Sequence, residues 1–515
     1  MAQSIADTNL AASWAASSAK VAVRVRVDWN RDGDYGDVHE DITSRVQGLS
    51  IQHSIYDQLA GLPVLGATAP SRASVVVSNE DCWFSPTNAS GLVASYPLIA
   101  YGIYRFPIQI ELGYYNGSTP ERLVQFTGEI EAADESESAS DVTVTFACTD
   151  NSISLLQYKA STSVYQNLRP DQMIQTILVA AGAATGSSLD QAASTIPYCW
   201  MDDENGWEEC RDLAQADGGI FFFEKDGGAR FRRITAPIER ADSLTPVATL
   251  NQGNASALRG ALTWRDCYSR VTAMYAGRYV GTLDELYKAP SAIIVPPGQT
   301  VTEECRLRYP AIDVVSPVYD IDYTAVSSSY DVVAYGTAGV EIATTKYGQR
   351  VDLAITNHLL YDTLYICNLV LRGFPLIGDE AQEVRYDQDG ALGHVYGTKV
   401  YNISGNPYMQ TREQAERVAQ YMRDRLQQPR LVYVWSGPAC PWLQMLDRVT
   451  LSHNTMTPNP GIDVDCYVMG NTLRYNAGSM LMQDLTLLPA TEVYARANYF
   501  LVGTTRYGSY GRAGY

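Results

Sequence analysis

The sequence is poor in the residues on which most enzymes and metal proteins are built. Of 515 residues only five are histidine, at positions 39, 53, 358, 394 and 453. Their scatter nominates no catalytic triad. There is no G-x-S-x-G, no H-E-x-x-H, no Walker loop and no G-x-G-x-x-G opening a helix, so no enzyme class is indicated. Nine cysteines occur without a single Cys-x-x-Cys pair, which speaks against a zinc ribbon and against a dense disulfide framework. They read as small buried hydrophobes in a protein folded in a reducing cytoplasm. No apolar run reaches the ~18 residues that would span a bilayer. Residues 1–20 are Ala/Ser-rich, contain Asp7 and lack a positive start, and do not read as a secretory signal. Positive charge is also scarce: 38 basic against 57 acidic residues leave a net charge of −19. Such a surface disfavours specific nucleic-acid binding, yet suits a channel along which DNA slides without sticking.

Phenylalanine is rare and tyrosine abundant, 10 against 35. Tyrosine has an apolar body and a polar tip, so it serves half-buried strands and wet interfaces. Two readings follow, a tyrosine-rich β protein and a sugar-binding surface. A hydrophobic content of 46% is enough for real cores, and the length predicts about three to five domains.

After an N-terminal arm at 1–20, alternation predicts strands at Val21–Val27, Gly48–Ile55, Ala73–Val77, Phe106–Gly113, Leu123–Ile130 and Val142–Cys148. The acid run Asp134–Asp141 between the last two reads as a solvated hairpin tip. These strands predict a first β-barrel module over 21–160. A small α+β module over 161–236 follows. Its first helix carries Met173, Ile174, Ile177, Leu178 and Ala181, with Pro170 near the start and Gly182 at the end. A second helix runs over Trp207–Ala216. A hairpin then crosses Lys225-Asp226-Gly227-Gly228. The carboxylates Asp202, Asp203, Glu204, Glu208 and Glu209 have the composition of a glycosidase pair, but read more simply as the helix start that the dipole favours. Strand-rich residues 237–400 predict a second β-barrel module, 401–490 an α+β C-terminal module, and 491–515 a Gly/Tyr-rich tail. The fold class expected is mainly β with α+β inserts, two β-barrel modules each followed by a small helix-containing module.

In the C-terminal module, Thr411 and Gln414 form a capping box. Ala415, Val418, Ala419, Met422 and Leu426 then make one apolar stripe, and Pro429 stops the helix. Leu431–Trp435 is apolar at every position and reads as a strand covered on both sides. The sharpest motif lies earlier. Asp28, Asn30, Asp32 and Asp34 with Gly33 match the front half of a calcium loop, whose oxygens at alternate positions suit a hard cation. His39 stands where the bidentate acid belongs, with Glu40 one later. The readings are a structural calcium in a β-hairpin turn, and an Asx/Gly turn without an ion.

Five segments carry a family resemblance when taken in order: Val27–Asp34 followed by Asp41-Ile42-Thr43; Asp81–Pro86 before Tyr96-Pro97-Leu98; Phe126–Ile130 followed by Cys148-Thr149-Asp150; Leu371–Leu376; and Gly405–Val449 followed by Met469–Tyr475. Together they resemble the minor tail or tail-hub proteins of tailed bacteriophages, including the late control D type. The resemblance implies a virion structural protein, not an enzyme, assembled in the host cytoplasm and placed at the tail tip. It implies a homotrimer whose two barrels per subunit form a pseudo-sixfold ring around a DNA channel. Its neighbours would be the tail tube or distal tail protein and the tip, fibre or central spike proteins, with phage DNA passing without specific binding. A carbohydrate-binding host-recognition tail protein is the alternative.

Overall fold

The computed structural model describes residues 10–15, 19–57, 62–63, 65–137, 142–233, 245–263, 267–329, 331–336, 339–387, 397–426, 430–453, 461–490, 499–500 and 512–513. The tip of the acid run at 138–141 lies outside them, as do Pro429 and most of the Gly/Tyr-rich tail.

A twelve-stranded sheet organises the molecule. In its first half Val21–Val27, Pro107–Asn116, Thr119–Glu137, Val142–Asp150, Arg72–Ser78 and Val46–Ser54 lie side by side in that order, all antiparallel. Alternation sends Val75, Val77, Ile108, Ile110 and Leu112 inward. They pack around Trp29, which is fully buried, with Phe106, Phe84 and Phe146 at ring distances of 5.4, 6.3 and 6.4 Å. The seam lies where Val46–Ser54 pairs with Ile462–Asn476, Gly48 opposite Asn476 and Ser54 opposite Gly470. Beyond it come Met482–Pro489, Arg430–Pro438 and Ala257–Thr263. Arg448–His453 pairs with the long strand 462–476 and carries Thr249–Asn251 beside it.

The chain is therefore mainly β with helix-containing inserts, but its second β half differs from the expected division at 237–400 and 401–490. That half is assembled from 249–263 and 430–489, with everything between them inserted. Pairing partners nearly two hundred residues apart leave no local trace, because a strand's pattern names a face and not a neighbour. The strand Arg430–Pro438 also differs from expectation. Tyr433 and Trp435 face the core while Val434 is exposed, since one face of the sheet is open there.

Between the halves sit three smaller bodies. The first holds the helices Pro170–Ala180 and Gly206–Asp217 and the hairpin Ile220–Phe223/Ala229–Arg232. Asn205 caps the second helix by accepting the Trp207 and Glu208 amides. Gly218, at φ 76°, ends it. The second body is the sheet Gln382–Asp387, Arg270–Tyr275 and Val400–Ile403, covered by the helix Arg412–Leu426. The capping box forms: the Gln414 amide donates to Thr411 Oγ1 at 3.3 Å and the Thr411 amide to Gln414 Oε1 at 3.0 Å. The whole predicted stripe, Ala415 to Leu426, is buried.

The third body, residues 278–378, is one long three-stranded ribbon. Its last run, 350–378, lies in the middle. It pairs antiparallel with 278–306 on one side, from Arg278 opposite Gly378 to Arg306 opposite Arg350. On the other side it pairs with 311–346, from Ala311 opposite Pro375 to Lys346 opposite Val351. Breaks divide the ribbon into three sheets that curl around a single core. One break falls at Asn368, at φ 56°, between Leu364–Cys367 and Val370–Gly378.

Candidate functional site

The chemistry of this chain is concentrated where its modules meet, in two buried polar junctions. The first lies at the tip of the hairpin 220–232. Gly227, at φ 81°, turns the chain there, where an added Cβ would stand 2.7 Å from Asn151 Nδ2. The turn drives Lys225 into the interior, 2% exposed. Its Nζ donates to the carbonyls of Pro441 and Leu443 at 2.6 and 2.9 Å. Gln125 Nε2 donates to the same Pro441 carbonyl at 2.8 Å, and Tyr114 Oη to that of Ala439 at 2.8 Å. The Cys440 amide donates to Gln483 Oε1 at 2.8 Å. The loop 439–443 is thus held from the first β half, from the hairpin and from its own sheet. Burial lowers the Lys225 ammonium to about 8 against the attraction of Glu224 and Asp447. Burial likewise raises Asp447 to about 7.

The second junction clasps segment 406–417 onto the helix Gly206–Asp217. Asn406 Nδ2 donates to the Asp212 carbonyl at 2.8 Å. Gln410 exchanges two hydrogen bonds with the Tyr198 backbone, at 3.1 and 2.6 Å. Arg417 Nη2 meets the buried Asp217 carboxylate at 3.0 Å. Tyr408 Oη donates to the Trp200 carbonyl at 2.9 Å and to Glu209 Oε2. Burial pushes Glu209 up to about 7, against the lowering effect of the Tyr408 hydrogen bond.

Sequence reasoning missed both junctions. Lys225 sits in a Lys-Asp-Gly-Gly turn that looks exposed. Glu209 is a first-turn acid, as expected, but its partner is 199 residues away. The acids of 202–209 are not gathered into a pair: Asp202 meets Arg306, Glu208 meets Arg211 and Glu209 meets Tyr408.

The Asp28–Asp37 loop folds as a chain of Asx turns. Asp28 Oδ1 accepts the Arg31 and Asp32 amides, and Oδ2 accepts that of Gly33 at 3.0 Å. Asp32 Oδ1 accepts the Asp34 amide at 3.0 Å, and Asp34 Oδ1 that of Gly36 at 2.8 Å. Asn30 Oδ1 accepts the Asp32 amide at 3.2 Å, and its Nδ2 donates to Asp32 and Asp37 at 2.9 and 2.7 Å. His39 packs on Trp83, ring centres 4.9 Å apart. Among the described residues no group of three or more His, Cys, Asp or Glu is placed to hold a metal. Each of the four side chains has at least one oxygen engaged by an N–H donor in this conformation.

No family model matches the sequence, and no curated protein matches it. Solved structures do. The chain is similar to a 43 kDa tail protein of prophage MuSo2 from Shewanella oneidensis, at 10% identity and TM-score 0.48, over 92% of this chain and 99% of that one. It is similar to a tail protein from Neisseria meningitidis, at 11% identity and TM-score 0.49, over 92% and 97%. It is also similar to an Escherichia coli type VI secretion component, at 10% identity and TM-score 0.39, over 91% and 78%.

Proposed function

We propose that this chain is a structural protein of the phage tail tip, a hub that joins the tail tube to the tip and surrounds the path of DNA ejection. One observation carries the reading. Segments that bear the resemblance, scattered over more than four hundred residues, meet in one sheet. Val27 ends its first strand, Phe126–Ile130 and Cys148–Asp150 pair within it, and Met469–Tyr475 forms its seam. The sheet runs as an open path from Val21–Val27 to Ala257–Thr263, so each copy offers two different edges. Head-to-tail association of unlike edges gives a ring where the rotation between copies closes, the arrangement a homotrimer with two β halves per subunit would use. The net charge of −19 lets DNA pass that ring without being held.

The test is a particle assembled without this protein, viewed by electron microscopy beside intact particles carrying an antibody label. Tails that end without a tip, and label at the tip around a threefold ring, are expected. Normal tips in its absence, or label on side fibres, overturn the reading.

A further inference from the structure

The ribbon 278–378 carries a groove that the hub role leaves unused. Both ends of the ribbon return to the first α+β body. Arg278 lies 4.5 Å over the Trp200 ring, and the Gly348 amide donates to the Thr162 carbonyl at 2.7 Å. The middle third holds a groove of about 540 Å³ lined by Ser327, Asp331, Val332, Tyr335, Leu359 and Asp362, among others.

Its walls are fixed before any ligand arrives. Asn357 is 1% exposed, and its Nδ2 donates to the carbonyls of Val295 and Asp362 at 3.0 and 2.9 Å. Its Oδ1 accepts the Leu359 amide at 2.9 Å. The hydroxyls of Ser328 and Ser329 both donate to Asp362 Oδ1, at 2.9 and 3.1 Å, which leaves Oδ2 to accept from elsewhere. On the other lip the Asp331 amide is tied to Ser327 Oγ at 3.1 Å, while its carboxylate makes no hydrogen bond among the described residues. Tyr335 is 58% exposed and Val332 76%.

We propose that this groove binds a neutral saccharide. Asp362, held by two serine hydroxyls, and Asp331 on the other lip offer carboxylate acceptors to hydroxyl donors, and charge-assisted hydrogen bonds of this kind are the strong ones. The Tyr335 ring with Val332 and Leu359 offers an apolar platform for the C–H face of a sugar. Among the described residues no lysine or arginine lines the groove, so an anionic sugar or a phosphate is disfavoured by its two carboxylates. The site does not depend on the hub reading, because it lies wholly within the ribbon.

The full chain is titrated, by calorimetry and ligand-observed NMR, with neutral tri- and tetrasaccharides of glucose, galactose, mannose and N-acetylglucosamine. At least one is expected to bind in a salt-insensitive way. Asp362→Asn is expected to weaken it about tenfold, the loss of one charged acceptor. Asp331→Asn and Tyr335→Ala are expected to weaken it with the melting temperature unchanged, since both side chains stand exposed. Absence of binding across the panel at millimolar ligand overturns the proposal. So does wild-type affinity in both Asp331→Asn and Tyr335→Ala. An arginine-containing peptide that binds where the sugars do not, and is lost in salt, makes the groove a protein-docking site and overturns it equally.

Discussion

The large sheet, antiparallel except where Thr249–Asn251 joins it, and the antiparallel inserted ribbon both alternate apolar and polar residues, and yet treat water differently. Among the described residues, twelve of the twenty most exposed large apolar side chains lie in 278–378, about a fifth of the chain. In the strands of the sheet Val434 is the one such side chain among the described residues, and His53, Gln125, Asn471 and Gln483 are each 5% exposed or less, as Asn357 of the ribbon is at 1%. Buried polar groups with matched partners fix one arrangement of modules and tolerate no other. Exposed apolar groups stabilise nothing until a partner covers them. The contrast separates a part built to hold its shape from a part built to meet something.

The sharpest way to break this contrast is to empty the sheet's core. Trp29→Ala removes a fully buried ring that touches three other aromatics and is expected to cost about 3–5 kcal/mol, read by chemical denaturation. A loss under about 1 kcal/mol would mean that the first β half is no better packed than the ribbon.

The junctions give the next largest effect. Tyr408→Phe leaves the Glu209 carboxyl without its buried donor and is expected to cost about 1–3 kcal/mol. The pH dependence gives a second readout. Glu209 titrates near 4.5 when unfolded and about 7 when folded, so the folded state holds the proton more tightly. Its contribution is fully present below pH 4.5 and is lost as pH rises through 7. Asp447, also raised to about 7, acts with the same sign. The contributions of Glu209 and Asp447 are therefore expected to fall between pH 4.5 and 7, against the opposite sign of buried His53, whose pKa burial lowers, and Glu209→Gln to flatten part of that fall. An unchanged slope in Glu209→Gln would remove the carboxyl from the account.

On the ribbon the expectation reverses. Tyr361 is 90% exposed and Leu360 75%, and serine at either position is expected to change stability by less than about 0.5 kcal/mol. A larger loss would show that these side chains pack in solution and would erase the contrast.

The sequence made legible whatever is local. The helices over 170–180, 206–217 and 412–426 were marked by proline, caps and stripes. The Thr411–Gln414 box and the left-handed Gly218 and Gly182 stand where composition places them. Strands of the first β half overlap their alternation, although the one expected at Leu123–Ile130 runs from Thr119 to Glu137 and takes in the first half of the acid run. Long-range partners stayed hidden. Nothing in Gly48–Ser54 says that it pairs with Gly470–Asn476. Nothing in the turn at Lys225 says that Pro441 and Leu443 will cover it. The groove was invisible for the same reason, since Tyr335 and Asp362 come to line it through the pairing of Thr324–Ser327 with Leu364–Cys367, a partner the local pattern does not name.

The smallest expected effect concerns the motif that looked most like chemistry. Asp28, Asn30, Asp32 and Asp34 have the spacing of a calcium loop, but spacing does not decide how the oxygens are used. In the folded loop Asp28 alone takes three backbone amides, and Asn30 turns its nitrogen toward Asp32 and Asp37. These N–H donors are expected to compete with an ion for the same oxygens. Since only a ligand that favours the folded state raises its melting temperature, millimolar calcium and a chelator are expected to give the same value within about 1 °C. Asp28→Asn, by contrast, should lower it in both buffers, because it weakens the acceptor of three amides whether or not calcium is present. A calcium-dependent rise that disappears in Asp28→Asn would restore the ion and place a second rigid anchor in the first β half.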